Sequence, residues 1–375
     1  MNNVVIATHE YPPRIGGAGV VARDLATSLS KRKDCNVTVV THYAASLSET
    51  LSRRLLYDYS CDYTIVRLPV FKGTWFFSYP YTLHKAISDG CDVLIFNDFA
   101  ISYLNRVISK KVIHYIHGKE SHLFYSGILK SRILAFDKIF RNNLNKADSI
   151  VCVSKFIKSW VQHHKLVDDT DKLVVVENQI DTSLFYRTES VPDEFQLGVS
   201  KSKTVLITAC RLVEGKGFAR MLRIFNDIVR EGSVGDLIWF VVGDGDYRSK
   251  FVEQISQLGL EEQVILLGRV NRENLIYYYA QSDLFWLLSD YEEAFPLVYK
   301  EAIACGLPAV GNDLGGVGEV IDHNVTGFIC NSDEEVKELI ITKKYQKLNL
   351  TGISEEFDEC EFANEFLAAS TDVHI

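Results

Sequence analysis

The sequence predicts an α/β protein made of two Rossmann-like, doubly wound domains facing one another across a cleft. Three observations carry that expectation. At 375 residues the chain is longer than one ordinary core encloses. Strand-length apolar runs alternate with amphipathic helical stretches, the pattern of a parallel sheet covered on both faces. The alternation then lapses in a polar stretch near 165–203 and starts afresh.

In chain order, V-V-I-A-T (4–8) reads as a strand and leads into a Pro/Gly loop spanning Pro12 to Gly19. A helix follows, with Val21, Leu25 and Leu29 on one stripe. Further strands are expected at 36–41, 93–96, 112–117 and 149–154. After the polar stretch come strands at 204–209, 237–243, 264–268, 283–289 and 308–311, again alternating with helices. Ligands of such sheets bind outside the carboxyl ends of the strands, so two facing sheets place a site between them.

Composition narrows the functional classes. Apolar residues make up 47% and charged residues 24%, an ordinary balance for a globular protein. The N-terminal apolar run meets charge at Glu10, and the longest apolar runs are strand-length. We therefore expect neither signal peptide nor membrane span, and a cytoplasmic location. The eight cysteines include no C-x-x-C pair and are expected to be reduced structural thiols. Charge is uneven: residues 1–170 hold 22 Lys+Arg against 14 Asp+Glu, and the remainder 18 against 35. The halves therefore meet different partners, and neither has the basic, aromatic-laced cluster of a nucleic-acid binder.

The most informative stretch is 285–306, F-W-L-L-S-D-Y-E-E-A-F-P-L-V-Y-K-E-A-I-A-C-G. A strand is expected to end at Ser289 and a turn to carry Glu292 and Glu293. Pro296 suits the first turn of a helix, which Gly306 and Pro308 stop. Such a helix N-terminus favours an anion, and Glu301, beyond the seven residues that follow Glu293, can accept both hydroxyls of a ribose.

This segment resembles the E-x7-E signature of glycosyltransferase family 4, retaining enzymes of the GT-B fold. Other segments resemble the family's motifs in the same order along nearly the whole chain: Y-P-P-R-I-G-G-A-G (11–19), H-G (117–118), V-S-K (153–155), E-N-Q-I-D-T-S-L-F (177–185), A-C-R-L-V-E-G-K-G-F (209–218), V-G-D-G-D (242–246) and G-G-V-G-E-V-I (315–321) with T-G-F (326–328). Gln179, Cys210, Ala294 and Pro296 depart from it, and Pro296 removes one backbone donor from the phosphate site. The resemblance implies an acceptor-side domain over 1–170, a nucleotide-sugar domain over 171–357, and a C-terminal helix at about 358–375 packing back on the first. It implies transfer of a hexose or N-acetylhexosamine from a nucleoside-diphosphate sugar to a glycan or lipid-linked acceptor.

Roles follow residue by residue. Arg211 and Lys216 stand just after a strand and are assigned to the diphosphate, whose departure builds negative charge. Gly16 and Gly17 allow close approach of phosphate or sugar. His117 is placed near the transferred sugar. Glu293 is read as a sugar or reaction-centre contact and Glu301 as the ribose clamp. The resemblance implies that Phe295, Pro296 and Leu297 line the donor site and that the base is met largely through backbone around Arg269 and Val270. Glu319 follows a Gly-rich turn and has the least defined role. With Arg211 and Lys216 available no metal and no cofactor is expected, and neither D-x-D string, 169–171 or 244–246, lies where metal-dependent transferases keep theirs.

Other classes fit less well. Gly17-Ala18-Gly19 with Ala22 gives G-x-G-x-x-A, but Thr41-His42-Tyr43 offers no ribose-binding acid for a nicotinamide oxidoreductase. A non-hydrolysing nucleotide-sugar epimerase shares the architecture but needs a separate acid/base set. A non-catalytic sugar-binding module is the third alternative. Segment 129–146 carries Lys130, Arg132, Lys138, Arg141 and Lys146 beside a stripe of Leu129, Ile133, Phe136, Phe140 and Leu144. It reads either as a core-facing helix with a solvated basic face or as a surface helix meeting anionic lipid at the inner membrane face, with Trp75, Phe76 and Phe77 as an apolar edge.

Overall fold

A computed structural model of the chain describes residues 2–12, 16–44, 55–59, 61–70, 90–97, 111–118, 136–200, 202–350, 353 and 359–369. The chain forms two compact units: residues 1–179 with 359–375, and residues 180–358.

The first unit is built on β1 (Asn2–Ala7), α1 (Gly17–Ser30), β2 (Cys35–Ala44), β3 (Leu56–Asp58), β4 (Thr64–Val70), β5 (Val93–Phe96), β6 (Lys111–Ile116), α2 (Phe136–Lys146), β7 (Ser149–Cys152), α3 (Lys155–His163) and β8 (Leu173–Val175). Its sheet runs β3-β4-β2-β1-β5-β6-β7-β8 and is parallel except for the edge strand β3. Strand β1 lies between β2 and β5, with Val4 opposite both Val37 and Val93. Val4 to Ala7 are all buried, because a central parallel strand is covered on both faces. Helix α1 buries Val21, Ala22, Leu25 and Leu29. The serine of V-S-K acts locally as a helix cap: the Ser154 side chain accepts from the Ile157 N–H at 3.1 Å and so starts α3.

The second unit holds β9 (Thr204–Ala209), α4 (Phe218–Glu231), β10 (Leu237–Val242), α5 (Arg248–Leu258), β11 (Val264–Gly268), α6 (Leu275–Tyr279), β12 (Leu284–Trp286), α7 (Leu297–Ala304), β13 (Ala309–Asn312), β14 (Gly327–Cys330) and α8 (Asp333–Thr342). Its strands lie in the order β11-β10-β9-β12-β13-β14, all parallel. Trp239 and Trp286 pack edge to face, centroids 4.9 Å apart, beneath the sheet centre. The Trp239 indole N–H donates to Thr208 Oγ1 at 3.0 Å, and that hydroxyl donates to the Trp286 carbonyl at 2.6 Å. The Thr208 hydroxyl in this aromatic core is thus satisfied in both its roles.

Several sequence expectations shift. The first domain extends beyond residue 170, because β8 pairs with β7 from Leu173 to Val175. Strands β3, β4, β8 and β14 were not read from the sequence: Arg67 and Pro69 interrupt the apolar run of β4, and the others span only three or four residues. The strand expected over 283–289 is β12, which ends at Trp286. The final helix, α9 (Glu359–Ala369), belongs to the first unit: it packs on α1 and β7, with Phe366 edge-on to Tyr115 at 4.9 Å.

Within segment 129–146 the described helix α2 buries Phe140 and Leu144 and exposes Lys138 and Lys146. That is the core-facing arrangement. Leu129, Lys130, Arg132 and Ile133 lie outside the described residues, as do Trp75, Phe76 and Phe77, and the Phe136 side chain is likewise not described. Among the described residues no helix is long and apolar enough to cross a membrane.

A core histidine contributes to the pH dependence of stability. His114 of β6 is buried against the Phe96 ring at 5.0 Å, and burial pushes its pKa from 6.5 down to about 3. Between those values the unfolded chain binds a proton that the folded chain does not, so stability falls as pH falls from 6.5 towards 3. The slope from this residue approaches about 1.4 kcal/mol per pH unit. Urea midpoints at about pH 7 and about pH 5 should show the loss, and His114→Phe should lessen the slope while leaving the part contributed by His117, whose pKa is lowered in the same way; an unchanged slope would show that the His114 imidazole protonates freely in the folded state.

Candidate active site

Both sheets reverse their winding direction at one place. In the first, the chain fills the β2 side of β1 before crossing to β5; in the second it fills the β10 side of β9 before crossing to β12. Loops leaving neighbouring strands there diverge to opposite faces and open a crevice at the carboxyl ends. Of the sequence-predicted residues, Gly16 and Gly17 lie at the first of these points and Arg211, Lys216 and Glu293 at the second, while His117 follows β6 and Arg269 and Val270 follow β11.

In the first unit, Gly16 caps α1 with extended backbone, and Gly17 opens the helix with nothing within 4 Å of where a Cβ would stand. A Cβ on Gly16 would enter the Glu10 carboxylate. His117 directly follows β6. Its Nε2 lies 3.0 Å from Asn97 Oδ1, and its ring tilts against Tyr115 with centroids 4.2 Å apart. Burial of the ring pushes its pKa down to about 3, so the imidazole is neutral at physiological pH. Asn97, fully buried directly after β5, also donates from Nδ2 to the Ala18 carbonyl at 2.8 Å and to Thr8 Oγ1 at 3.3 Å. One amide therefore joins the end of β1, the first turn of α1 and His117. Sequence reasoning missed Asn97; the available signal was a polar residue closing the apolar strand V-L-I-F.

In the second unit, the loop after β9 carries Arg211 and Lys216. Two backbone bonds bracket Arg211: Cys210 N–H to the Val242 carbonyl at 3.1 Å and Leu212 N–H to the Asp244 carbonyl at 3.1 Å. The Arg211 side chain is exposed and forms no salt bridge among the described residues. Lys216 Nζ meets Glu293 Oε1 at 2.5 Å, both side chains about one-sixth exposed. The loops bearing this pair are docked to one another: the Asp290 N–H donates to the Gly215 carbonyl at 2.8 Å, and the Tyr291 hydroxyl donates to the Glu214 carbonyl at 2.5 Å. Gly315, at φ +69, lets the 313–317 turn lie on the Glu293 backbone, where a Cβ would stand 2.3 Å from the Glu293 carbonyl oxygen.

Pro296 stands one position earlier than the sequence suggested: it is the N-cap of α7, with Leu297 its first residue. Glu301, one turn further along α7, is buried and accepts from Arg272 Nε at 2.9 Å. The Arg272 guanidinium lies over the Phe185 ring, 5.0 Å from its centroid. The terminal Phe of segment 177–185 therefore supports the arginine that holds Glu301. Arg272 was not singled out from sequence, since one basic residue in R-V-N-R carries no local signature. Phe295 is buried with Lys300 Nζ 5.3 Å from its centroid. Arg269 is exposed and 3.7 Å from Asp244, and Val270 packs on the core edge. Glu319 closes a single 3-10 turn beyond Gly316. Of the two D-x-D strings, Asp169 caps the turn before β8 and Asp244 faces Arg269 and Arg248.

Two family patterns match the chain: "Glycosyltransferase Family 4" over residues 15–184 and "Glycosyl transferases group 1" over 192–343. The N-acetyl-alpha-D-glucosaminyl L-malate synthase of Bacillus anthracis is 27% identical over 334 residues, covering 85% of this chain and 81% of that protein. Among solved structures, sucrose-phosphate synthase from Thermosynechococcus elongatus aligns with a TM-score of 0.78 at 15% identity, over 98% of both chains. Anabaena Alr3699/HepE, solved in complex with UDP and glucose, aligns with a TM-score of 0.73 at 20% identity over the whole of both chains. These two structural likenesses are likenesses of fold.

The docking of the two loops rests on Gly217, at φ +76, where a Cβ would stand 1.9 Å from the Leu288 carbonyl oxygen. Gly232, at φ +62, has open space around it. Gly232→Ala should cost roughly 1–2 kcal/mol, the penalty of a left-handed backbone alone. Gly217→Ala should cost clearly more, because backbone must move as well. Comparable urea midpoints for the two variants would show that the loops are not packed as described.

Proposed function

The chain belongs to glycosyltransferase family 4 and has its GT-B fold; from that premise we propose a retaining, metal-independent enzyme that moves a hexose or N-acetylhexosamine from a nucleoside-diphosphate sugar to a glycan or lipid-linked acceptor. The observation that carries this reading is the joining of Lys216 to Glu293 by two docked loops at the β9/β12 crevice, with Arg211 on the same loop as Lys216. Cleavage of a sugar–phosphate bond leaves growing negative charge on the diphosphate. Preorganised cations neutralise it without reorganising at the moment of reaction. In this reading the diphosphate takes Lys216 from Glu293, and the freed carboxylate turns to a sugar hydroxyl. Arg211 adds a planar donor fork suited to a second phosphate oxygen.

Glu301 is the proposed ribose clamp. Arg272 occupies Oε1 and favours the ionised, acceptor-only form, which two ribose hydroxyls require. The relatives support the donor class: one is by name an N-acetyl-alpha-D-glucosaminyl L-malate synthase, and a fold neighbour was solved with UDP and glucose. Absence of a metal requirement rests on the two cations in place. The acceptor is assigned to the first unit, whose share of the chain is basic, and we propose a cytoplasmic enzyme that contacts anionic membrane at most peripherally.

Lys216→Ala and Arg211→Ala should each lower turnover about a hundredfold or more. If EDTA abolishes transfer while both variants stay active, the metal-free reading fails. NMR of the product should show the donor's anomeric configuration; an inverted linkage would overturn the retaining assignment. Glu301→Gln tests the clamp more cleanly than Glu301→Ala, which would strand the Arg272 charge. It should weaken nucleoside-diphosphate binding by ~1.5–3 kcal/mol, and calorimetry showing unchanged affinity would remove Glu301 from the ribose site.

A further inference from the structure

We propose that Asn97 is a positioning residue that locks His117 in the Nε2–H tautomer, so that Nδ1 is presented to bound substrate as a hydrogen-bond acceptor. Asn97 contacts the Ala18 carbonyl oxygen at 2.8 Å, and a carbonyl can only accept. The amide group facing Ala18 must therefore be the NH2, which also reaches Thr8 Oγ1. The other end of the amide, 3.0 Å from His117 Nε2, is then the carbonyl Oδ1. An amide oxygen cannot donate, so Nε2 must carry the proton. A neutral imidazole has one proton, which leaves Nδ1 as a lone pair.

That lone pair is buried and has no hydrogen-bond partner among the described residues. A buried acceptor left unmet is destabilising, so it is a feature that a ligand's O–H or N–H relieves. Tyr115, whose ring tilts against the imidazole, gives its hydroxyl proton to Asn178 Oδ1 at 2.5 Å and is committed elsewhere. The crevice at β1/β5 is where this unit binds ligands if the transferase reading holds, and the role in turnover rests on that reading. The tautomer itself does not. The consequence for chemistry is specific: His117 accepts from a hydroxyl and does not supply a proton.

Long-range proton–nitrogen NMR of the protein carrying 15N-histidine, at about pH 7, reads the tautomer directly. The His117 signals are identified by their loss in His117→Gln. Protonated-type Nε2 with unprotonated-type Nδ1 is expected; the reverse pattern, or an imidazolium, overturns the proposal in the wild-type protein whatever the variants do. Asn97→Asp keeps an acceptor for Nε2–H but loses the bond to Ala18, whereas Asn97→Leu removes both. The tautomer should persist in Asn97→Asp and average over both nitrogens in Asn97→Leu. Retention of pure Nε2–H in a folded Asn97→Leu would show that something else sets it. Sugar transfer should fall about tenfold or more in Asn97→Leu and less in Asn97→Asp. If neither the wild type nor any variant transfers sugar, the transferase reading fails while the NMR result for Asn97 stands.

Discussion

A parallel sheet can change its direction of winding only by sending two neighbouring loops to opposite faces, and the gap this opens is the constraint on which the chemistry of this protein depends. It occurs once between β1 and β5 and once between β9 and β12. Strand ends at such a gap are where side chains and backbone donors can reach a ligand. At the first gap stand Gly16, Asn97 and, one strand on, His117; at the second stand Arg211, Lys216 and Glu293. The rest of each unit makes those strand ends rigid. The Trp239–Thr208–Trp286 network does so for β9, β10 and β12 by satisfying the Thr208 hydroxyl and the Trp239 indole inside an aromatic core.

Apart from the exposed Arg211, the polar residues at the gaps are held by pairing rather than left to solvent. Lys216 is held by Glu293, Glu301 by Arg272, Arg272 by the face of Phe185, and His117 by Asn97. Each partnership fixes a rotamer before any ligand arrives, which reduces the ordering a ligand must impose. The two ion pairs differ in kind. Lys216–Glu293 links two loops and is partly open to solvent, so a phosphate can compete for the lysine. Arg272–Glu301 is buried almost completely on the carboxylate side, and it keeps that carboxylate charged and aimed.

Much of this was legible because local chemistry leaves a local mark. Continuous apolar runs announce buried parallel strands. The spacing of Glu293 and Glu301 around Pro296 places one carboxylate in a turn and one on a helix. Where strands were missed, the signal was weak for a physical reason: β4 carries Arg67 and Pro69, and β3, β8 and β14 are too short to show a period. The boundary expected at residue 170 lay too early because β8, although embedded in polar sequence, completes the first sheet.

By itself the sequence determined the fold class, the two-unit organisation and the positions that carry the charge. These follow from periodicity, from residue type and from motifs confined to a few consecutive residues. Only the tertiary structure decided the partnerships. Asn97 and His117 are 20 residues apart, Arg272 and Glu301 29, and Lys216 and Glu293 77. A hydrogen bond depends on separation in space and on which atom bears the proton, and neither is encoded at fixed spacing along the chain. The tautomer of His117 shows this most directly: it is set by an amide whose own orientation is set by the carbonyl of Ala18, a residue on a third element.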